Sequence, residues 1–564
     1  MYGQFGMSAL TRTITAAGGV FAPGHLGELT QYLPFELVDA VLEETGTVQR
    51  RLRLLPSRAG VYFLLALALF PRLGYARVWG KLVAGLAGLA LPAVSEKALR
   101  DLRRRLGPAP LEALFQVVAG PLAQPVTPGV RYRRWRTVAF DGCSSLKVPD
   151  TARNRDRFGR ACYRQAWAGY PMLMLMTLAE TGTRALIGAV FGAPAAGEVA
   201  FALRLAGHLR AGMLVLADRA FDADGFLQQV AATGAALLVR IRASRRPPVL
   251  AQLPDGSFLS VLAGLKVRII DAEIIATLAD GRRVQGRYRL VTTLTDHRAD
   301  PAGRLIRLYH ERWEIESAYL ALRHTLLTGT VLRSGDPAGV EQEMWAALTL
   351  YQVLRRAMTD AVETRPGTDP DRACFTTALE TAREQVITAH AILPGTGDID
   401  LLGAIGRAVL AGLLPARRRR LSIRKVKSPI SRYHTHRADD RPPGSVTITG
   451  LQFRIHQGRT APPPQAPDPP RSWALDRHLA GTTRPAPRSA KTSTRRRAGR
   501  KERVLALLQA EPARSWHSRE IGQLLDVPDL HSFGVQMSQW ARQGIIRKLG
   551  RSTYTLPLTH QQNP

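Results

Sequence analysis

Cysteine is almost absent from this chain. Three in 564 residues, Cys143, Cys162 and Cys374, cannot build a disulfide framework, and no CxxC pair offers a structural zinc site. Long apolar runs are missing too. The best, residues 61–70, ends at Pro71 after ten residues, where roughly 20 are needed to cross a bilayer. The opening MYGQFGMSAL has no basic segment ahead of an apolar core, so no secretory signal is read. Acidic residues are the third scarcity: Asp and Glu number 45 against 78 Lys and Arg, a formal net charge of +33. Such a surplus costs self-repulsion and is tolerated where a polyanion is the partner. The expectation is a cytoplasmic, nucleoid-associated protein that binds nucleic acid and is not inserted in a membrane.

The length calls for several domains. Residues 1–130 read as a helical N-terminal domain. Apolar residues recur at spacings of three and four through Leu29, Leu33, Val38, Val41 and Leu42, and again through Leu99, Leu102, Leu106, Leu111 and Leu114. Arginines among them (Arg50, Arg51, Arg53 and those from 100 to 105) form either a solvated face or a DNA contact. From about residue 131 the texture turns to short apolar runs bounded by Gly, Pro and Asp. Strands are expected at 137–140, 170–178, 184–191 and 213–216, with a helix over 196–209. This alternation predicts a mixed α/β domain, its first part over 131–236. Residues 237–300 read as a β-rich insertion, with Asp255-Gly256 and Asp280-Gly281 as hairpin turns. Helix returns from Arg304 to about Leu327, and the second part of the α/β domain with C-terminal helices spans 301–415.

Composition then breaks. Residues 417–500 hold 21 Lys and Arg against 4 Asp and Glu, with Pro, Arg and Ala dense from 462 to 489. A largely disordered basic linker over 416–500 is expected, gripping phosphates without sequence preference. Residues 501–560 regain helical periodicity: a helix over 501–510, a second capped by Ser518, and a third from near Ser532 burying Phe533, Met537, Trp540 and Ala541 and closed by Gly544. Two short strands around Gly550-Arg551 complete a winged-helix-like module. Its third helix would offer Gln536, Gln539, Arg542 and Gln543 to the major groove. A small helical dimerisation unit is the alternative.

Asp141 follows the apolar strand TVAF and precedes Gly142; Asp218 follows MLVL in LADRAF. Each alone is an ordinary turn or capping residue. Two carboxylates at the C-terminal ends of apolar strands are a natural metal-ligand pair. The third comes from residues 308–323, LYHERWEIESAYLALR. On a helix turning about 100° per residue, Tyr309, Arg312, Glu316 and Arg323 share one arc of about 60°. Trp313 and Leu320 bound it on one side, Leu308, Ile315, Tyr319 and Leu322 on the other, and Glu311 and Glu314 point away. Such a stripe lets Glu316 hold metal while the basic residues hold phosphates; an ordinary helix with one internal ion pair is the plain alternative. In-line phosphodiester cleavage needs an activated oxygen, a stabilised leaving oxygen and neutralised charge. Two Mg²⁺ ions (or Mn²⁺) about 3.5–4 Å apart supply all three on oxygen ligands. Cys143-Ser144-Ser145 has neither the glycine elbow nor the spaced His of a nucleophile site.

These residues resemble the insertion-sequence-four family of DDE transposases. FDGCSSLKVPDTARN (140–154) followed by Phe158-Gly159 resembles its first motif and ADRAF (217–221) its second. Tyr309, Arg312 and Glu316 match its Tyr-x2-Arg-x3-Glu-x6-Lys signature, with Arg323 in place of the final Lys, which keeps the charge and changes the geometry. The likeness covers roughly residues 25–455, including HLGELTQYLP, RLRLLPSRAGVYFLLALAL and KVKSPISRY (425–433); the C-terminal module lies outside it.

The resemblance implies an RNase H-like catalytic core with a β-strand insertion. It implies Asp141, Asp218 and Glu316 as catalytic metal ligands, and Tyr309, Arg312 and Arg323 as DNA phosphate contacts. It also implies cut-and-paste chemistry by a homodimer on paired inverted repeats. Water nicks the element end, the freed 3′-OH forms a hairpin, a second water opens it, and the 3′-OH attacks target DNA. The aromatic that relatives stack on a flipped base has no assigned counterpart: within 237–293, Tyr288 is the only Tyr and Phe258 the only Phe. Other readings are an RNase H-like nuclease that cuts without joining, and an inactive, domesticated DNA-binding regulator.

Overall fold

The structure is a computed structural model. It describes residues 25–49, 55–86, 91, 93–160, 169–242, 244–278, 281, 283–389, 402–415, 420–422, 445–457, 500–511, 514–527, 530–542, 545–550 and 552–556. The chain divides into two compact units, 1–465 and 466–564.

The N-terminal periodicities of the first unit become helices: α1 (Phe35–Glu44), α2 (Ser57–Leu69), α3 (Tyr75–Val83), α4 (Glu96–Leu106) and α5 (Ala109–Val118). A helix that is apolar all round has to be interior, and α2 is buried at every position from Ala59 to Leu69. On α4, Leu99, Leu102 and Leu106 face inward, and so does Arg103. Its guanidinium donates to Gln342 Oε1 at 2.6 Å and to Tyr75 at 2.7 Å, and pairs with Glu343 at 3.2 Å. Arg103 therefore ties the core together and does not belong to the basic face expected of this helix.

β1 (Trp135–Lys147), β2 (Met172–Glu180) and β3 (Leu186–Gly192) form an antiparallel meander, with α6 (Ala152–Phe158) between the first two. After α7 (Glu198–Leu205), β4 (Met213–Ala217) adds in parallel to the other edge of β1. After α8 (Asp224–Ala232), β5 (Ala236–Ile241) adds in parallel to β4. The order β3-β2-β1-β4-β5 is a mixed central sheet with helices, consistent with an RNase H-like core.

The region expected as an insertion supplies β6 (Phe258–Leu262), β7 (Leu265–Leu278) and β8 (Arg283–Thr292), with the Asp255-Gly256 turn just ahead of β6 as anticipated, while Asp280 lies outside the described residues. It is continuous with the central sheet, because β8 pairs antiparallel with β5 and β7 with β8. The chain continues through α9 (Ala302–Tyr309), α10 (Glu314–Leu320), α11 (Pro337–Glu363), α12 (Phe375–Ile387) and α13 (Gly403–Ala411). Helix α11 has Pro337 in its first turn and Asp336 as its cap, and packs on α2, α5 and α13. Within the segment expected as a linker, β9 (Ser445–Ile455) pairs antiparallel with β7. KVKSPISRY and the Pro-rich stretch 462–489 lie outside the described residues.

The second unit comprises α14 (Arg500–Ala510), β10 (Trp516–His517), α15 (Ser518–Leu524), α16 (Leu530–Arg542), β11 (Arg547–Gly550) and β12 (Thr553–Thr555), with sheet order β10-β12-β11. Phe533, Met537 and Trp540 enter its core with Val504, Ile521 and Tyr554, as the spacing predicts. His517 caps α15 in place of Ser518, its ring nitrogen accepting from the Arg519 amide at 3.3 Å. Gln543 and Gly544 lie outside the described residues. Among the described residues no helix is long and apolar enough to cross a membrane.

Candidate catalytic centre

β1 and β4 run parallel with Ala139 opposite Leu216. Two residues further along, this register sets Asp141 beside Asp218. Strand alternation decides which face they share. Ala139, Cys143, Leu214 and Leu216 enter one core, while Val138, Phe140, Val215 and Ala217 enter the core on the other side of the sheet. Asp141 and Asp218 thus belong to the first side. That side is covered by α10, which sends Ile315 and Ala318 into the same core and carries Glu316 between them. The strand does not end at Asp141, as the TVAF reading expects. It continues to Lys147 on its pairing with β2, with an irregularity between Cys143 and Leu146. What stops near Asp141 is the parallel partner, and this leaves the carboxylate at an open strand end.

The stretch from Arg304 to Leu327 is not one uniform helix. After α9 come a 3-10 segment (His310–Trp313), α10 and a π segment (Ala321–Leu326). A wheel of constant angle fails across such changes of pitch, so the four-residue arc needs correction. Tyr309 and Arg312 are 4% and 6% exposed, and Arg312 Nη2 lies 3.7 Å from Glu316 Oε1. Arg323 falls in the π segment, where burial and the Arg323 charge together lower the His324 pKa. It is not among the charges acting most strongly on Asp141 or Arg312.

Burial pushes the Asp141 carboxyl up to about 7; the nearby negative charges of Glu316 and Asp218 add to this, against Arg312 and the Gly142 amide. Burial opposes the Arg312 charge, but Tyr309, Asp141, Asp218 and Glu316 outweigh it and raise its pKa. Burial likewise lifts the Tyr309 phenol to about 12. Asp218 Oδ1 accepts from the Ala220 amide at 2.7 Å, and Asp141 Oδ1 from the Gly142 amide at 3.0 Å. Sequence reasoning missed Tyr319, which it placed among the apolar walls. Its hydroxyl reaches the backbone of β1, a role that only the packing of helix on strand discloses.

The family described as Insertion element 4 transposase N-terminal matches residues 23–116, and the one described as Transposase DDE domain matches 137–353. The chain belongs to the insertion-element-4 family of DDE transposases. Among curated relatives, the transposase InsG for insertion sequence element IS4 of Escherichia coli (strain K12) is 28% identical over 420 residues, covering 73% of this chain and 94% of the relative. A solved piggyBac transposase synaptic complex with hairpin DNA aligns with 69% of this chain and 84% of its own, at 9% identity and a TM-score of 0.35.

DDE transposases act on DNA and use divalent metal ions. The donor set here fits such ions: three carboxylates against one arginine leave a negative surplus, and a cation would offset the burial that chiefly raises Asp141 and the repulsion from Glu316 and Asp218 that adds to it. Among the described residues, no three His, Cys, Asp or Glu side chains stand at ligating distance from a common point. Asp141 and Asp218 each accept one local backbone amide through Oδ1.

Proposed function

We propose that Asp141, Asp218 and Glu316 together bind two divalent ions, Mg²⁺ or Mn²⁺, and that the enzyme cuts the ends of its element and joins them to target DNA. Such ions, when bound, supply an activated oxygen and neutralise charge on the phosphate. The protein's own share is positional. Arg312 offers a buried positive charge whose direction is held by Glu316. Tyr309 keeps its proton at working pH, because burial raises its phenol to about 12, and it donates to a phosphate oxygen. Arg323 adds a cation one helical segment further on. Hydrolysis frees a 3′-OH at the element end, which then displaces a phosphodiester oxygen of the target. The supporting observation is the β1–β4 register that aligns the two aspartates under the helix bearing Glu316.

By analogy with the family that the sequence motifs resemble, the DNA ends are the element's inverted repeats, paired by a homodimer. Three helices with a small antiparallel sheet around one core support a winged-helix role for the second unit, in which α16 reads DNA with Gln536. The test is a Mg²⁺-dependent cleavage and strand-transfer assay on Asp218→Asn and Glu316→Gln. Both are expected to lose product while binding DNA as the wild type does. Equal loss of binding and cleavage would overturn the assignment.

A further inference from the structure

Next to the acids, the ends of β4 and β5 and the strands β7 and β8 frame a cleft of about 420 Å³ lined by five arginines, Arg219, Arg240, Arg246, Arg287 and Arg289, and one acid, Asp271. Arg219 directly follows Asp218, so the cleft adjoins the catalytic strand end. Asp271 is 5% exposed. Its two oxygens accept from Arg287 Nε and Nη2 at 2.8 and 2.9 Å, and Oδ2 also accepts from Arg289 Nη2 at 2.6 Å and Nε at 3.0 Å. The ladder explains the trio: Asp271 on β7 stands opposite Arg289 on β8, and Arg287 is the diagonal neighbour on the same face.

Burial works against the Asp271 charge, yet the two guanidinium forks hold the carboxyl below its ordinary range. It therefore stays ionised as an internal strut. Arg289 is fixed further by donating to the Arg245 carbonyl at 2.8 Å. Arg240 is fixed by stacking 4.1 Å over the Tyr288 ring, which in turn lies 6.3 Å from Tyr309 at the end of α9. Arg287 reaches outward with 60% of its side chain exposed, and Arg219 and Arg246 are exposed as well. Guanidinium forks aimed by a buried carboxylate suit a tetrahedral oxyanion with several acceptors, and one carboxylate cannot offset five cations.

We propose that this cleft binds a backbone phosphate of the DNA strand entering the centre, through Arg219, Arg246 and Arg287, and that Asp271 is a positioning residue that aims Arg287. The inference rests on reading Asp141, Asp218 and Glu316 as a DNA-cleaving centre. The test uses the full chain and a fluorescein-labelled, mixed-sequence DNA duplex, with anisotropy read across a salt series. Arg246→Gln and Arg287→Gln are each expected to weaken binding and to flatten the slope of log Kd against log salt by about 1. Asp271→Asn discriminates: it adds one positive charge, so diffuse attraction predicts tighter binding, whereas positioning predicts weaker binding, with partial recovery in Asp271→Glu. Tighter binding by Asp271→Asn, or unchanged slopes in both arginine variants, overturns the proposal. If Asp271→Asn fails to fold by thermal melting, the two slopes decide alone. A wild-type chain that binds no duplex would bring down the DNA-cleaving reading itself, which an effect confined to the variants would leave standing.

Discussion

The hydroxyl of Tyr319 donates to the main-chain carbonyl of Asp141 at 2.5 Å, and Thr177 Oγ1 lies 2.9 Å from the same hydroxyl. Thr177 is the direct cross-strand partner of Asp141 in the β1–β2 ladder. With its single proton given to Asp141, the phenol accepts from Thr177. Since Tyr319 is three residues beyond Glu316 on α10, this contact sets how far the glutamate stands from the aspartate.

Tyr319→Phe keeps the ring and removes the clamp. It should cost about 1–3 kcal/mol, because a buried carbonyl is left unsatisfied. Cleavage should slow by about tenfold for each ~1.4 kcal/mol of positioning lost. Single-turnover cleavage at saturating DNA checks this, and a rate equal to the wild type would show that the clamp does not place Glu316.

Arg312 is the buried countercharge of three acids. Arg312→Gln should destabilise the metal-free protein by about 3–5 kcal/mol, since carboxylates are left facing one another without a cation. Arg312→Lys should recover the charge but only part of the activity, because an ammonium lacks the planar fork. Thermal melting in chelator, run beside cleavage, tests both. An Arg312→Gln chain that melts like the wild type removes the electrostatic argument.

Divalent ions should stabilise the fold as well as support cleavage. A ligand at a hundred times its Kd adds about 2.7 kcal/mol. Melting temperature should therefore rise with Mg²⁺ or Mn²⁺ in the wild type and stay flat in Asp218→Asn. An identical rise in both would mean the ions bind elsewhere.

Acid should unlock a second network. Arg268 is fully buried and pairs with Asp255, donating also to Ser257 Oγ at 2.8 Å and the Asp300 carbonyl at 2.6 Å. Burial alone would raise the Asp255 pKa, but bonds from Ser257, the Ala302 amide and Arg268 outweigh it and bring it below 3.8. A depressed carboxylate stabilises the fold above its unfolded pKa, and that contribution drains as pH falls through the folded value. The stability gap between wild type and Asp255→Asn, read from urea midpoints, should be constant above about pH 3.8 and shrink below it. A gap that widens in acid contradicts the sign.

Local pattern carried much of this. Apolar runs marked β1, β2 and β4, Asp255-Gly256 marked the turn ahead of β6, and helical spacing marked Leu99, Leu102 and Leu106 as core. The two aspartates were legible because each follows such a run. What escaped was non-local. The strand expected at 137–140 stops short of CSSLK, yet β2 holds that stretch in the sheet through Lys147. The pitch changes around Glu316 follow from packing that no wheel contains, and they put Arg323 in a π segment. The alternation in SVTITGLQFRI was hidden by the basic composition around it. The register of β8 on β5, which merges the insertion with the central sheet, depends on residues some 50 positions apart.

The pairing of β9 with β7 has a bearing on how the chain is handled. Residues 448–455 cap the ladder of 272–278, although more than 150 positions separate them in sequence. A fragment shortened to the helices around residue 415 would bare a row of backbone amides and carbonyls along β7, a template for neighbouring molecules to add strands. The late strand thus acts as a guard rail, and preparations lacking it should self-associate.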